Sequence, residues 1–364
     1  METIKNRKIM KTQIRIILGT VILSAVLWSC TKTDSSLQTT TLKNSINQSA
    51  LNLNTAVNTI ASTKAYSILT FNGITSKSLS TEETAYKVYI TLDTIKGIYN
   101  YKPVPKADRW GMSLIKYFNK TADNSKMIVK MPLKKVTDPR TLRQYAASDS
   151  ALTNNFSIAV SDYHNNYNNY HDFDYILTSA ITIDDVAAGN LNIKYIVSPA
   201  TGVDYASQYA FSGGYTADYK YLSGDTTLSS FAISDNSKVL YKEELRTVKV
   251  DTARFGREHE YILTIGDVQI IRKSGTKAVT VSVAGVVQTK AVVTMVDKAT
   301  DSEASVCKHR DIQITFDDGT TTTVSALIGS SVDNIKTLFD SLHSVYFSAY
   351  VVDWIAYDIY YHRN

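Results

Sequence analysis

The sequence predicts a mainly β chain with a few helices, an α+β protein built as one long antiparallel meander. Three observations predict it. Tyrosine is abundant, with 24 in 364 residues, and aromatic side chains suit the pleated, half-buried surface of a strand. From Phe156 to Leu327 about a dozen short runs have strand character, several alternating apolar and polar residues, the period of a strand with one buried face. Most are separated by Gly, Asn or Asp turns, and short connections join neighbouring antiparallel strands rather than βαβ units. Apolar stripes of helical period lie near both ends, so the expected form is a curved sheet or half-barrel packed on N- and C-terminal helices.

The first residues belong to no fold. Lys5, Arg7, Lys8, Lys11 and Arg15 are opposed only by Glu2, and the thirteen residues from Ile16 to Trp28 carry no charge. That run is shorter than the ~20 residues that span a bilayer. A basic region, an apolar run and a small residue before the end have the order of a secretory signal. Leu27-Trp28-Ser29-Cys30 resembles the lipobox of bacterial lipoproteins, and serine before the cysteine is common in those of Bacteroidota. The resemblance implies cleavage before Cys30, acyl chains on Cys30, and a membrane partner reached through that anchor in the cell envelope, at the outer membrane. The expected domains are a signal peptide at 1–29, a flexible tether at 30–41 and a β-rich domain at 42–364, with a candidate sub-boundary near 146–155.

Thr31 to Thr41 is rich in Ser and Thr, the composition of a tether. Leu42, Ile46, Ala50, Leu53, Val57 and Ile60 recur at spacings of three and four, which predicts an amphipathic helix. Its other face carries Asn and Thr, so packing must hold it. Strands are predicted at Tyr86 to Leu92, Leu114 to Phe118 and Met127 to Met131, the last two flanking Lys120 to Ser125 as a hairpin loop. Asp138-Pro139 starts a short helix bearing Leu142 and Tyr145. Further on, Asp184-Asp185, Pro199 and Gly213-Gly214 interrupt runs of strand character, and Gly285 separates Val279–Val283 from Ala291–Val296. Asp317-Asp318-Gly319 joins Ile312–Phe316 to Thr320–Val324 with a strong hairpin signal. Ile335, Leu338, Leu342, Val345, Ala349, Val352, Ala356 and Ile359 then keep helical spacing, so helix is predicted from Val332 onward. A strand over residues 345–361 is the alternative, and it would mix Asp353 with Phe347 on one face. Phe347, Tyr350, Trp354 and Ile355 lie off the main stripe, the pattern of a helix buried nearly all round.

Composition limits function. The precursor has 39 Lys+Arg against 34 Asp+Glu, and loss of residues 1–29 leaves 34 against 33. So balanced a chain gives no reason to expect nucleic-acid binding, which needs clustered cations. With Cys30 acylated, Cys307 has no partner and reads as a small buried hydrophobe.

The string Asp162 to Asp172 holds Tyr163, His164, Tyr167, Tyr170 and His171 among asparagines. These five are candidate ligand contacts, since phenol rings stack on sugar faces while convergent polar groups bond hydroxyls. A solvated loop is the competing reading of an Asn-rich string. The His spacing matches no metal-ligand pattern, and no metal or cofactor is expected. Glu243-Glu244 and Glu258-His259-Glu260 offer carboxylates, but adjacent strand residues face opposite sides, so a charged outer face is expected. No nucleophile elbow, HExxH or phosphate loop is present, and no catalytic residue is assigned. The expected function is a non-enzymatic binding or structural role at the envelope. The alternatives are a surface glycan binder, an uncharacterised hydrolase, or a carrier of lipid or another hydrophobic ligand. The carrier would resemble the LolA and LppX type in architecture, where a long sheet wraps apolar helices and holds acyl chains. A cavity between sheet and helix favours the carrier, and an exposed aromatic row the glycan binder.

Overall fold

The predicted stripe of the first helix is buried along its whole length. In the computed structural model, which describes residues 37–69, 87–104, 114–137, 151–169, 171–250, 256–274, 279–297, 310–329, 331–342 and 346–363, helix α1 runs Leu37–Ala61. Leu42, Ile46, Ala50, Leu53, Val57 and Ile60 all face the core. The opposite face is exposed, and there Thr55 and Thr59 return their hydroxyls to backbone carbonyls four residues back. The helix begins inside the segment expected to be a tether; residues 31–36 lie outside the described residues, as do the signal peptide and Cys30. Residues 41–364 form one compact unit. Helix α2, Lys64–Leu69, follows at once.

The next strands depart from the expected hairpin. They are β1 Val88–Thr91, helix α3 Leu92–Ile95, β2 Gly97–Tyr101, β3 Phe118–Ala122, β4 Met127–Met131 and helix α4 Leu133–Thr137. Leu114–Tyr117, expected as strand, is a 3₁₀ turn. β3 and β4 do not pair with each other, because β2 lies between them, antiparallel to β3 and parallel to β4. Two physical reasons favour this. The four-residue Asp123-Asn124-Ser125-Lys126 connection has no glycine for the positive φ of a tight hairpin turn. Inserting β2 also buries Tyr99 and Tyr101, and the Tyr99 hydroxyl donates to the Ile95 carbonyl at 2.9 Å. The sheet is therefore mixed at this edge rather than wholly antiparallel. The expected helix at Asp138-Pro139 lies outside the described residues.

From there the chain is the predicted meander. β5 Phe156–Asn169, β6 Asp172–Ile183, β7 Val186–Ser198, β8 Gly202–Phe211, β9 Tyr215–Leu222 and β10 Thr226–Asp235 follow in order. β11 Lys238–Lys249, β12 Arg257–Ile265, β13 Val268–Lys273, β14 Val279–Val283 and β15 Val286–Val287 complete it. Each pairs with the next in an open, 15-stranded sheet. The first half of β5 pairs with β4 and its second half with β1, so two short strands share one edge. Ala291–Val296, expected to continue the meander, instead starts a second sheet of β16 Val292–Asp297, β17 Arg310–Thr315 and β18 Thr321–Thr323. There the Asp317-Asp318-Gly319 turn joins β17 to β18 as predicted, with Gly319 at φ 76°.

The C-terminal segment is helical throughout its described part: α5 Val324–Ile328, α6 Ser331–Leu342 and α7 Tyr346–Arg363. Helical winding buries Ala349, Val351, Val352, Ile355 and Ala356 together, which a strand could not do. Helices cover one face of the long sheet, the inner face. Phe339 of α6 packs edge-on against Tyr219 and Phe231 with ring centroids 5.8 and 5.5 Å away. α1 and α2 follow the ends of the strands. Ser49 presses on Gly266 of the β12–β13 turn, where a Cβ would lie 2.3 Å from its hydroxyl. Lys64 pairs with Asp184 of the β6–β7 turn at 2.5 Å. All three major helices and both sheets contribute to one continuous apolar cluster.

Candidate functional site

Pairing register turns the tyrosine content into a site. Asn165, Tyr175, Tyr195, Tyr205, Tyr221, Ser229, Leu245, Tyr261, Arg272 and Val279 stand directly opposite one another on the ten strands β5 to β14. Residues directly opposite one another on paired strands share a face, and Tyr175 meets Asp353 of α7, so all of them belong to the inner face. Tyr175 and Tyr205 are buried; Tyr195, Tyr221 and Tyr261 are half-buried, and Leu245 is 44% exposed. Edge-to-face contacts run along the row, along the next one and between them: Tyr195 meets Tyr205 at 5.6 Å, Tyr167 meets Phe173 at 6.0 Å, and Phe173 meets Tyr195 at 5.3 Å. Such aromatic pairs add ~0.5–1.5 kcal/mol beyond burial.

One end of the row is a buried polar cluster. The Tyr163 and Tyr175 hydroxyls donate to Asp353 Oδ1 at 2.9 and 3.1 Å, and Asn165 donates to the Tyr357 hydroxyl at 3.3 Å. Burial pushes the Asp353 carboxyl up to about 7 against the opposing effect of the two phenols. The same burial, with Asp353 nearby, holds the Tyr163 hydroxyl well above its ordinary range and Tyr357 at about 12. The cluster fixes α7 to the sheet by a group able to hold a proton near neutrality.

The other end is a cavity of about 260 Å³ between the sheets. Tyr261, Ile270, Arg272 and Val279 line it from β12–β14, and Met295 and Ile312 from β16–β17. Burial and the Glu243 carboxylate raise the Tyr261 hydroxyl. Glu243 itself accepts a hydrogen bond from Tyr241.

The five residues singled out from sequence are divided by the fold. Their string is not a loop but most of strand β5 and its hairpin, held on both sides by β6 and β1. Tyr163 and Tyr167 point inward, Tyr163 buried and Tyr167 against Phe173. His164 points outward, its Nε2 3.4 Å from Asp174 Oδ2 and its ring edge-on to Tyr89. His171 is exposed in the turn, where its backbone N–H donates to Asn169 Oδ1 at 2.8 Å. Tyr170 lies outside the described residues. These side chains do not converge.

The carboxylate doublets alternate as expected. Glu244 lies on the outer face, buried between Lys242 and Arg246 Nε, the latter at 2.5 Å. Burial alone would raise its carboxyl, but the two cations outweigh that and lower it. Glu260 meets Arg246 at 3.7 Å and Lys273 at 3.3 Å on the same face. His259 faces inward, its Nδ1 2.9 Å from the Thr247 hydroxyl. Among the described residues no group of three His, Cys, Asp or Glu could hold a metal ion, and no helix is long and apolar enough to cross a membrane. Cys307 lies outside the described residues.

The chain matches no protein-family model, and no curated protein or solved structure matches it.

Proposed function

We propose that this is an envelope protein, tethered through acylated Cys30, that binds an elongated apolar or amphiphilic molecule along the inner-face row without chemistry on it. The observation that carries the reading is the line of half-buried Tyr195, Tyr221 and Tyr261 with exposed Leu245, which leads along one face to an apolar cavity. Ligand sites are mostly apolar, with few polar groups, and this strip has that character. The space beneath the C-terminal helices is not the ligand's place. Leu338, Leu342, Ala349 and Val352 are fully buried there as ordinary core. A glycan is the weaker reading of the same row, since the continuous amide–carboxylate ladder suited to sugar hydroxyls lies on the other side of the sheet. Asn192 donates to Gln208 at 3.2 Å, and Gln208 to Asp218 at 2.6 Å, in an outer-face ladder.

The test uses the mature chain, residues 30–364 with Cys30→Ala, free of detergent. N-phenyl-1-naphthylamine, an apolar fluorophore, is expected to bind saturably. The double substitution Tyr195→Ala and Tyr221→Ala should weaken it about tenfold, the effect of ~1.4 kcal/mol of lost contact. Absence of saturable binding, or binding indifferent to both substitutions, would refute the proposal.

A further inference from the structure

We infer that the cavity between β12–β14 and β16–β17 is the subsite at the end of that row, and that it takes a single-tailed alkyl monocarboxylate with its tail inside and its head on Arg272. The inference rests on the ligand reading above and specifies its chemistry.

Arg272 is out of place for its neighbourhood. On the outer face of β11 and β13 each cation has a carboxylate: Lys242 and Arg246 meet Glu244, and Lys273 meets Glu260. Arg272 precedes Lys273 on β13, so strand alternation turns it to the inner face. There it stands opposite Tyr261 and Val279 and has no ion pair among the described residues. Glu243, an acid of the same face two strands away on β11, is engaged by the Tyr241 hydroxyl. A guanidinium drawn partly out of water beside Ile270, Val279, Met295 and Ile312 lacks the compensation that half-buried charges usually have. A carboxylate supplies it, because its two oxygens match the planar fork of arginine.

The rest of the wall sets the tail. Apart from Arg272 and the Tyr261 hydroxyl, the lining side chains are apolar. The volume, about 260 Å³, falls just below the ~300–1,000 Å³ of drug-sized ligand sites. One short or medium alkyl chain fits that space, and a diacyl lipid does not. Beyond Arg272 the face turns polar, with His259 held by Thr247 and, through its backbone N–H, by Ser274, so the charged end has a wet side to face.

Octanoate and 1-octanol differ only at the head and test the assignment by calorimetry on the mature Cys30→Ala chain. Octanoate is expected to bind at least about tenfold more tightly, the scale of one charge-assisted hydrogen-bonded pair. Arg272→Gln should bring the two within about twofold by weakening octanoate alone. Met295→Trp, which fills the cavity, should lose both. Equal affinities in the parent chain, or a preference that survives Arg272→Gln, would overturn the inference; the parent comparison decides even if a variant fails to fold. If the chain binds N-phenyl-1-naphthylamine through Tyr195 and Tyr221 but neither octyl compound, the subsite is refuted and the row reading stands. If it binds none of the three, both fall.

Discussion

At Asp353 a carboxyl group sits in the core with two phenols as its donors, and its titration is coupled to folding. Its ordinary value is 3.8 and burial moves it to about 7 in the folded chain. Between those values the folded protein keeps a proton that the unfolded chain has released. The stabilisation from this group is therefore complete below pH 3.8 and is lost as pH rises toward 7. At ~1.36 kcal/mol per unit it amounts to a few kcal/mol. Asp353→Asn removes the titration but keeps an oxygen for Tyr163 and Tyr175. Urea unfolding at pH 4.5 and 7.5 should show the parent losing a few kcal/mol more than the variant over that interval; equal slopes would mean that Asp353 does not titrate there. The site was only partly legible. Tyr163 stands out in its string, but its partner Asp353 is 190 residues away, and Tyr175 is 178 residues from the same carboxylate. No local spacing reveals such pairs. Ser161 obscured more. It is the extra residue where the β5–β6 register shifts, so Val160 and Tyr163 both face inward, a phase that plain alternation excludes.

At the scale of elements, period was the dependable signal and pairing was not. α1 and α6 follow their stripes, and the helical spacing from Ile335 to Ile359 holds across α6 and α7 because each turn adds buried apolar area there. Turns needing positive φ were legible in part: Asp184, Asp185 and Gly319 adopt it, since short polar residues or glycine accept that conformation at least cost, whereas Ala284 adopts it with no such signal. Pairing failed where a distant strand outcompeted a local one, as when β2 entered between β3 and β4. The tyrosine row was illegible for the same reason, since it exists only once ten strands are in register. The helices make a direct prediction. Leu342 is buried against the apolar cluster, and Leu342→Ala should cost ~2–5 kcal/mol through the cavity it leaves. The denaturant midpoint at constant slope measures it. A loss under ~1 kcal/mol would mean the site collapses or water fills it, and the core there is looser than its burial indicates.

On the scale of the whole molecule, the proposed attachment and the proposed binding row belong to different parts of the sequence. The tyrosine row and its cavity lie between β5 and β17, while the proposed anchor precedes α1 at Cys30. Electrostatics offers little help to a membrane contact, because 34 bases balance 33 acids once residues 1–29 are gone. In the proposed attachment, acyl chains on Cys30 would be the main source of membrane affinity, at ~0.8 kcal/mol per buried methylene, so that one chain holds marginally and several hold firmly. Cys30→Ala should therefore move the protein from the detergent phase to the aqueous phase in detergent partitioning and abolish labelling by a palmitate analogue. Both readouts are needed, because an apolar inner face could itself recruit detergent. A variant that loses the label yet stays in the detergent phase would place the attachment on the folded domain, and one that keeps the label would put the acylated residue elsewhere than Cys30.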